Sequence, residues 1–150
     1  MSGARHFEDI DVGEEWRPVA RTITEHDVIA FAGLSGDANP VHTDAVFAAG
    51  ERFGEPIAHG LLGLAAAGGF LSRVGVVDGT AIALLDVRWK FRAPIRFGDT
   101  IAATIAVASK REASDGASGI VAFSFRLTNQ RDELVQEGEH VFLVKRRSAA

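Results

Sequence analysis

The second half of the chain carries the apolar spacing of β-strands. Apolar residues alternate with polar ones, or form short runs, at residues 82–91, 100–107, 120–127 and 135–144. Glycine, proline, aspartate and asparagine lie between these segments, and such residues favour turns. The pattern therefore predicts four antiparallel strands joined by short connections. A further strand is predicted around residues 15–23.

The first half contains a helical pattern with a defined beginning. Thr24 can cap exposed amides with its hydroxyl, and Asp27 stands three residues on, where a carboxylate completes a capping box. The helix is expected to end near Gly36. It should bury one apolar face, formed by Val28, Ile29, Phe31, Ala32 and Leu34. A second short turn, capped by Thr43 or Asp44, is expected to run through Phe47 and Ala48.

A third segment, residues 60–72, holds no charged residue and is rich in glycine and alanine. A helix that is apolar on every side is expected to be buried all round, and its small residues permit close backbone approach. The segment is too short to span a bilayer. Together with the strands, it predicts one α+β domain over residues 1–150, in which an antiparallel sheet packs around one buried helix.

Charge and composition exclude several classes of partner. The chain has 150 residues, a formal net charge of −4 and no cysteine. The acidic surplus argues against general binding to nucleic acid or to anionic membranes. The lack of cysteine excludes disulfides and thiolate metal sites. The sequence shows no signal peptide or membrane-spanning pattern, so we expect a soluble cytoplasmic protein.

The densest chemistry lies in residues 34–42, which read Leu-Ser-Gly-Asp-Ala-Asn-Pro-Val-His. Asp37 and His42 would point about 140° apart on a helix and to opposite faces of a strand. Pro40 fixes its own φ and moves Asn39 out of the helical region, which predicts a turn that brings the acid and the imidazole together. With reference pKa values of ~3.9 and ~6.5, such a pair can share proton transfer near neutral pH. The alternative is a turn in which Asp37 only caps an amide and His42 is exposed.

Three stretches of the chain resemble the MaoC-like dehydratases, also called (R)-specific enoyl-CoA hydratases or hydratase 2. They are residues 31–42 with Ala48, residues 53–62 and residues 89–100. The resemblance implies the hotdog fold, in which an antiparallel sheet wraps around a central helix. It also implies reversible syn addition of water to a trans-2-enoyl-CoA, giving the (R)-3-hydroxyacyl-CoA. We expect no metal, and no cofactor beyond the coenzyme A that the acyl-CoA substrate carries.

The resemblance assigns the catalytic water to Asp37 and His42. The backbone amide of Gly60 is the expected donor to the enolate oxygen, because an amide in the first turn of a helix has no intrahelical partner and lies at the positive end of the helix dipole. Asn39 is expected to shape the turn, with contact to substrate as the alternative. His59 is expected either to add a polar group to the substrate pocket or to fix the loop before the buried helix.

Basic residues alternate along the strand predicted at residues 82–91 and therefore share one face, while Trp89 and Phe91 share the other. With a fourth basic residue beyond the strand, they are a candidate site for the phosphates of coenzyme A: Arg88, Lys90, Arg92 and Arg96. The alternative is a strand face that is only solvated.

The chain departs from some family members, which carry a serine on the buried helix facing the pocket. Here residues 63–69 contain no hydroxyl, and Ser72 lies farther along. The vacated volume would admit a bulkier or branched acyl chain. Asp44 is expected to cap a helix rather than to act in catalysis. Histidines without partners at useful spacing are assigned to the surface: His6, His26 and His140.

Other functions of the hotdog fold remain as alternatives. One is a thioesterase, in which a carboxylate activates water against the thioester carbonyl. The other is a non-catalytic acyl-CoA-binding domain. A proton-transfer pair at Asp37 and His42 favours hydration over both. Because hotdog domains commonly pair, and an exposed sheet edge favours pairing, we expect at least a homodimer.

Overall fold

Six antiparallel strands form the sheet in the computed structural model, which describes residues 5–147. They pair in the order β1-β4-β5-β6-β3, and β2 also pairs with β4. In chain order the strands are β1 (Glu15–Trp16), β2 (Arg21–Thr22), β3 (Ala81–Phe91), β4 (Thr100–Glu112), β5 (Ser118–Thr128) and β6 (Leu134–Lys145). The order leaves β3 as an edge strand. Among residues 5–147, no strand pairs with the outer edge of β3, the strand that carries Trp89 and Phe91.

The four long strands confirm the predicted segments, with one difference in length. β3, β5 and β6 begin and end within two residues of the prediction. β4 continues to Glu112 instead of residue 107. A register shift between Val107 and Ser109 lets β4 keep pairing with β5 over this extension, because a bulge absorbs one extra residue without ending the ladder.

The strand predicted around residues 15–23 is wrong in its extent. Only two short pieces, β1 and β2, pair with β4. Pro18 lies between them. Proline has no amide hydrogen to donate to a ladder, so this segment cannot form one continuous strand.

Besides a 3₁₀-helix at Phe7–Asp9, four α-helices of the described residues lie before or after the turn that carries Asp37. They are α1 (Glu25–Ser35), α2 (Pro40–Thr43), α3 (Ala45–Ala49) and α4 (Gly60–Val74). α1 begins as predicted, because the Thr24 hydroxyl accepts from the Asp27 amide and the Asp27 carboxylate accepts from the Thr24 amide. The Asp44 carboxylate caps α3 by accepting from the amides of Val46 and Phe47.

The apolar face predicted for α1 is only half buried. Val28 and Ala32 are buried, whereas Ile29 is 49% and Leu34 86% exposed. Val28 and Ala32 are four residues apart and therefore share one narrow stripe of the helix. Phe31 beside it is partly buried against the core, whereas Ile29 and Leu34 lie off the stripe.

α4 packs against the sheet and contributes Leu62, Ala66 and Phe70 to the core, where they join buried residues of β4, β5 and β6. The prediction that this helix is buried all round is wrong for the single chain, because Leu61 is 58% exposed. One face of the sheet covers only one side of a helix. Within residues 5–147, no helix combines the length and the apolar character that crossing a membrane requires.

Candidate functional site

The turn between α1 and α2 is held by short-range hydrogen bonds. Gly36 ends α1 with a left-handed φ of +78°, which glycine adopts without steric cost. The Ser35 hydroxyl accepts from the Asp37 amide at 3.1 Å, and Asp37 Oδ1 accepts from the Asn39 amide at 3.2 Å. Asn39 Oδ1 accepts from the Val41 amide at 3.1 Å and caps α2. Asn39 therefore has the contacts of a residue that shapes the turn.

α2 carries His42, whose orientation is fixed by a backbone carbonyl. His42 Nδ1 lies 2.7 Å from the carbonyl oxygen of Ile57. Because a carbonyl can only accept, Nδ1 carries the hydrogen, and Nε2 of the neutral ring keeps a free lone pair. The Nε2 atom of His42 is therefore free to accept a proton from water.

His59, the residue before α4, is buried and contacts both Asp37 and His42. It is 2% exposed. Its Nε2 donates to the backbone carbonyl of Asp37 at 2.8 Å, and its ring stacks on that of His42 with centroids 3.8 Å apart. Of the two roles expected for His59, these contacts are those of a residue that fixes the loop. Its Nδ1 is buried with no hydrogen-bond partner among the described residues.

Asp37, His42 and His59 form one cluster. The carboxylate oxygen and ring nitrogens that these side chains offer all lie within 4.8 Å of one another. A water about 2.8 Å from each of two atoms can bridge up to about 5.6 Å, so this spacing lies within the reach of one bridging water. The Asp37 side chain is 53% exposed, which leaves this water position open to solvent and to a ligand.

Two imidazoles and a carboxylate are also donor types that divalent transition metals accept. One nitrogen of each ring is already engaged, however: Nδ1 of His42 with Ile57, and Nε2 of His59 with the Asp37 carbonyl. A metal would therefore have to use the buried Nδ1 of His59. The expectation that the site works without a metal stays a prediction.

Gly60 begins α4 directly after His59. The hydrogen bonds among the described residues include no acceptor for the Gly60 amide, which is the normal state of an amide in the first turn of a helix. A methyl group built on Gly60 would lie 2.9 Å from Cε1 of Phe91, so a larger residue here would require this ring to shift. The amide thus remains free to donate to a ligand at the positive end of α4.

A cavity of about 520 Å³ lies against Gly60. Phe91 and Gln136 line it from the sheet, and Ile57, whose carbonyl orients His42, lines it from the loop. The Asp37–His42–His59 cluster does not line this cavity within one chain. The cavity and the cluster meet at the peptide that joins His59 to Gly60.

The four basic residues proposed for phosphate binding all lie near carboxylates. Arg88 pairs with Glu139 at 3.0 Å and Arg92 with Glu137 at 2.6 Å, and Arg96 pairs with Glu55. The hydrogen bond from Arg92 lowers the pKa of Glu137, and Lys90 contributes to the same effect. Of the four, only Arg92 lines the cavity at Gly60, whereas a wider, open hollow of about 810 Å³ beside Arg88 and Lys90 contains no residue of the cluster. Their role in binding phosphate stays a prediction.

The space left by the missing serine differs along α4. A methyl group on Gly63 would collide with the side-chain amide of Gln136, so the volume at this position is filled. Methyl groups on Gly68 or Gly69 would meet no described atom within 4 Å. Gly68 is half-buried and Gly69 is exposed, so the open space there faces solvent at least in part. Room for a bulkier acyl chain stays a prediction.

Two buried polar residues of β6 were not predicted as such. The assignment of His140 to the surface is wrong, because this side chain is 4% exposed and its ring lies 4.4 Å from that of Phe125. Burial lowers the pKa of His140 to about 4. Gln136 is 2% exposed. The alternation of Glu137 and Glu139 in the sequence is a signal that could have placed both residues on the opposite, inner face.

A family model described as a MaoC like domain matches residues 9–124. An (R)-specific enoyl-CoA hydratase from Rhodospirillum rubrum is 41% identical over 104 residues, which make up 68% of this chain and 69% of that protein. An (R)-specific enoyl-CoA hydratase from Aeromonas caviae is 31% identical over 134 residues, or 89% of this chain and 95% of that protein.

Solved structures show the same architecture. A monoamine oxidase regulatory protein from Archaeoglobus fulgidus superposes with a TM-score of 0.90 at 36% identity, and the match covers 97% of each chain. The R-hydratase PhaJ1 from Pseudomonas aeruginosa superposes with a TM-score of 0.81 at 30% identity, covering 95% of this chain and 86% of that one. A Mycobacterium tuberculosis protein with a double hotdog fold also superposes, with a TM-score of 0.82 at 18% identity over 99% of this chain and 46% of that one, so the antiparallel sheet with its packed helix is the hotdog fold.

Proposed function

The chain belongs to the MaoC-like dehydratase family, and we propose that it catalyses the reversible hydration of trans-2-enoyl-CoA thioesters to (R)-3-hydroxyacyl-CoA. Family membership makes it an enzyme of the hydratase and dehydratase class. The observation that carries the proposal is the cluster in which Asp37 and His42 lie close enough to hold one water, beside a helix whose first amide is free.

The proposed reaction begins with that water. Asp37 and Nε2 of His42 hold it, and one of them takes its proton as the oxygen attacks the β-carbon of the enoyl thioester. A proton then reaches the α-carbon from the same pair, so the two hydrogens and the oxygen of one water are all accounted for. Because two interacting groups on one water titrate as a unit, the base and the acid are assigned to the pair and not to either residue.

Charge develops on the thioester oxygen during this addition. The Gly60 amide donates to that oxygen, where the helix dipole and the free N–H both favour negative charge. The loss of one such donor typically costs on the order of 3 kcal/mol in the barrier. In this proposal the 520 Å³ cavity, which contains Gly60 and Phe91, receives the thioester.

We further propose that two chains pair through the edge strand β3. Within the described part of the chain, no strand pairs with the outer side of β3, which exposes Ile82 (51%), Leu84 (52%) and Leu85 (49%). An unpaired edge with apolar side chains favours pairing with a second strand. Light scattering after gel filtration should give a dimer mass or a multiple of it. Leu84→Lys should lower that mass, whereas a monomeric wild type would contradict the pairing.

The reaction is tested with crotonyl-CoA and longer or branched trans-2-enoyl-CoA thioesters. We expect loss of the absorbance of the conjugated thioester, no release of free thiol, and an (R) product on chiral chromatography. Release of free thiol would indicate a thioesterase. Binding of the thioesters without turnover, for every acyl chain tested, would indicate a non-catalytic binding domain and would contradict the proposal.

A further inference from the structure

Gln136, in β6, connects the sheet to the first turn of α4. Its Nε2 donates to the carbonyl oxygen of Gly60 at 3.0 Å, and its Oε1 accepts from Nε1 of Trp89 at 2.9 Å. An indole N–H can only donate and a carbonyl can only accept, so the two neighbours fix which end of the amide is oxygen. The Gln136 side chain is 2% exposed, so water has little access to compete for its two hydrogen bonds.

The space for this amide is provided by a second glycine of α4. A methyl group built on Gly63 would lie 2.6 Å from Cδ of Gln136, well inside van der Waals contact. Gln136 cannot move aside without breaking at least one of its two hydrogen bonds. Glycine at position 63 therefore leaves room beside α4 for the Gln136 side-chain amide. It lies about one turn after Gly60, which begins the helix.

We infer that Gln136 is a positioning residue for the Gly60 amide, an inference that rests on the proposed role of this amide as the oxyanion donor. Gln136 lines the same cavity, but both ends of its amide are already engaged, by the Gly60 carbonyl and the Trp89 indole, so we assign its effect to holding the Gly60 carbonyl. Fixing this carbonyl restricts the rotation of the first peptides of α4, and with it the direction of the neighbouring N–H. Trp89, in ring contact with Phe125 and His140, anchors the other end of the amide in the core.

The expected kinetic signature separates positioning from general support. An oxyanion donor acts mainly in the transition state, so its displacement lowers kcat more than it changes KM. Misplacement by about 1 Å can cost about 100-fold. For Gln136→Leu we expect kcat for crotonyl-CoA hydration to fall by about 10- to 100-fold, while KM stays within about 3-fold.

Gly63→Ala provides a variant that keeps every polar group. The added methyl must displace the Gln136 amide, so kcat should fall as in Gln136→Leu, although alanine raises helix propensity. The double variant Gly63→Ala/Gln136→Ala should be no slower than Gln136→Ala alone, because the methyl then enters vacated space. Such non-additivity is expected only for residues that act through one contact.

Gln136→Glu adds a readout that a purely structural role would not move. An ionised carboxylate accepts from Trp89 but cannot donate to the Gly60 carbonyl, whereas a protonated one can do both. Burial raises the pKa of a glutamic acid, so the ratio of variant to wild-type kcat should rise as the pH falls from about 8 to about 6.

Asn129→Ala is the matched control. Asn129 is also buried, at 3% exposure, but its side chain bonds within the β5–β6 turn and not to α4. The kcat of the Asn129→Ala variant should equal that of the wild type at temperatures where both proteins are folded. An equal loss of kcat in Asn129→Ala and Gln136→Leu, or a loss below about 2-fold in Gln136→Leu, would overturn the inference.

Amide NMR separates this inference from the proposed function. In Gln136→Leu, the signals of Gly60 and Leu61 should shift, and the Leu64 amide, which pairs with the same carbonyl in the helix, should exchange faster. Asn129→Ala should show neither change. A wild type without hydratase activity would defeat the proposed function, and these signals would then decide the positioning by themselves. Unchanged signals in Gln136→Leu would overturn it whatever the activity.

Discussion

The turn that carries Asp37 and the inner face of β6 hold polar side chains by opposite means. In the turn, the side-chain bonds that shape the backbone join residues two to four positions apart, and Asp37 remains 53% exposed. Two further bonds, to the carbonyl of Ile57 and from the ring of His59, tie the turn to the loop before α4. On β6, the partners of Gln136 lie 47 and 76 positions away, and its side chain is buried. The shape of the turn is thus specified by neighbouring residues, although the loop before α4 anchors it. The inner face of β6 depends entirely on how strands and helix come together.

The difference predicts where a substitution affects activity and where it affects stability. Asp37 and His42 bond to few groups that would be left unsatisfied, so replacing them should cost little folding free energy. His140 and Gln136 lie within the packed interior, where a polar group left unpaired or a buried charge lowers the free energy of unfolding. The experiments that follow test this division.

The largest effect is expected in the turn. Asp37→Asn and His42→Ala should each lower kcat by about 10²- to 10⁴-fold, since each removes a proton-transfer group from the catalytic water. The midpoint of urea unfolding should change little. The rate of crotonyl-CoA hydration and a urea titration measure the two quantities. A large loss of stability with unchanged kcat would reverse the comparison.

The next largest effect is a pH-dependent loss of stability that arises from His140, in β6. The pKa of His140 is lowered from 6.5 to about 4 by burial, so the unfolded chain binds a proton at higher pH than the folded one. Stability is therefore complete above about pH 6.5 and falls as the pH drops toward 4, by about 3 kcal/mol.

Urea unfolding at several pH values tests this loss. In His140→Leu, the part of the decline between about pH 6.5 and 4.5 should be absent, because this window lies above the reference pKa of the carboxylates. His26→Leu, at an exposed position of α1, is the control and should keep the full decline. An identical pH dependence in the wild type and His140→Leu would contradict the burial argument.

A smaller effect is expected at a second acid close to the turn. Asp44 caps α3 through the amides of Val46 and Phe47, at 2.9 and 3.0 Å. Asp44→Ala should cost about 1 kcal/mol of unfolding free energy and leave kcat unchanged. Thermal unfolding and the hydration assay check both. Loss of activity here would mean that the two acids of this region are not divided between catalysis and capping as inferred.

The smallest effect is expected from metal removal. Prolonged treatment with EDTA should leave the hydration rate unchanged, since Asp37, His42 and the Gly60 amide supply every group that the proposed reaction uses. Restoration of a lost rate by a divalent cation would instead assign the Asp37–His42–His59 donors to a metal.

Local chemistry made much of the site predictable from the sequence. Pro40 and Asn39 determine a turn, and that turn brings a carboxylate oxygen of Asp37 and a ring nitrogen of His42 within 4.8 Å of each other. Thr24 and Asp27 determine where α1 begins. Gly60 follows from the abrupt start of an uncharged helix. In each case the physical cause lies within a few residues, such as a fixed φ, a missing amide partner or a capping hydroxyl.

The errors have a different origin. His140 has no neighbour in sequence that explains its burial, and the exposure of Leu61 depends on which side of α4 the sheet covers. The break between β1 and β2 was signalled by Pro18 but also required knowing that both pieces meet β4. These outcomes depend on long-range contacts, whose partners the spacing of apolar residues does not identify.

The sequence by itself determined the turn, the capped helices, the four long strands and the residues that can exchange protons with water, because hydrogen bonds and backbone restrictions over a few residues decide them. Only the tertiary structure decided that β6 meets the start of α4. That contact places the Gln136 amide on Gly60, while the pairing of β6 with β3 and β5 sets His140 among the rings of Trp89 and Phe125. Such contacts form only when the burial of apolar surface brings distant segments together.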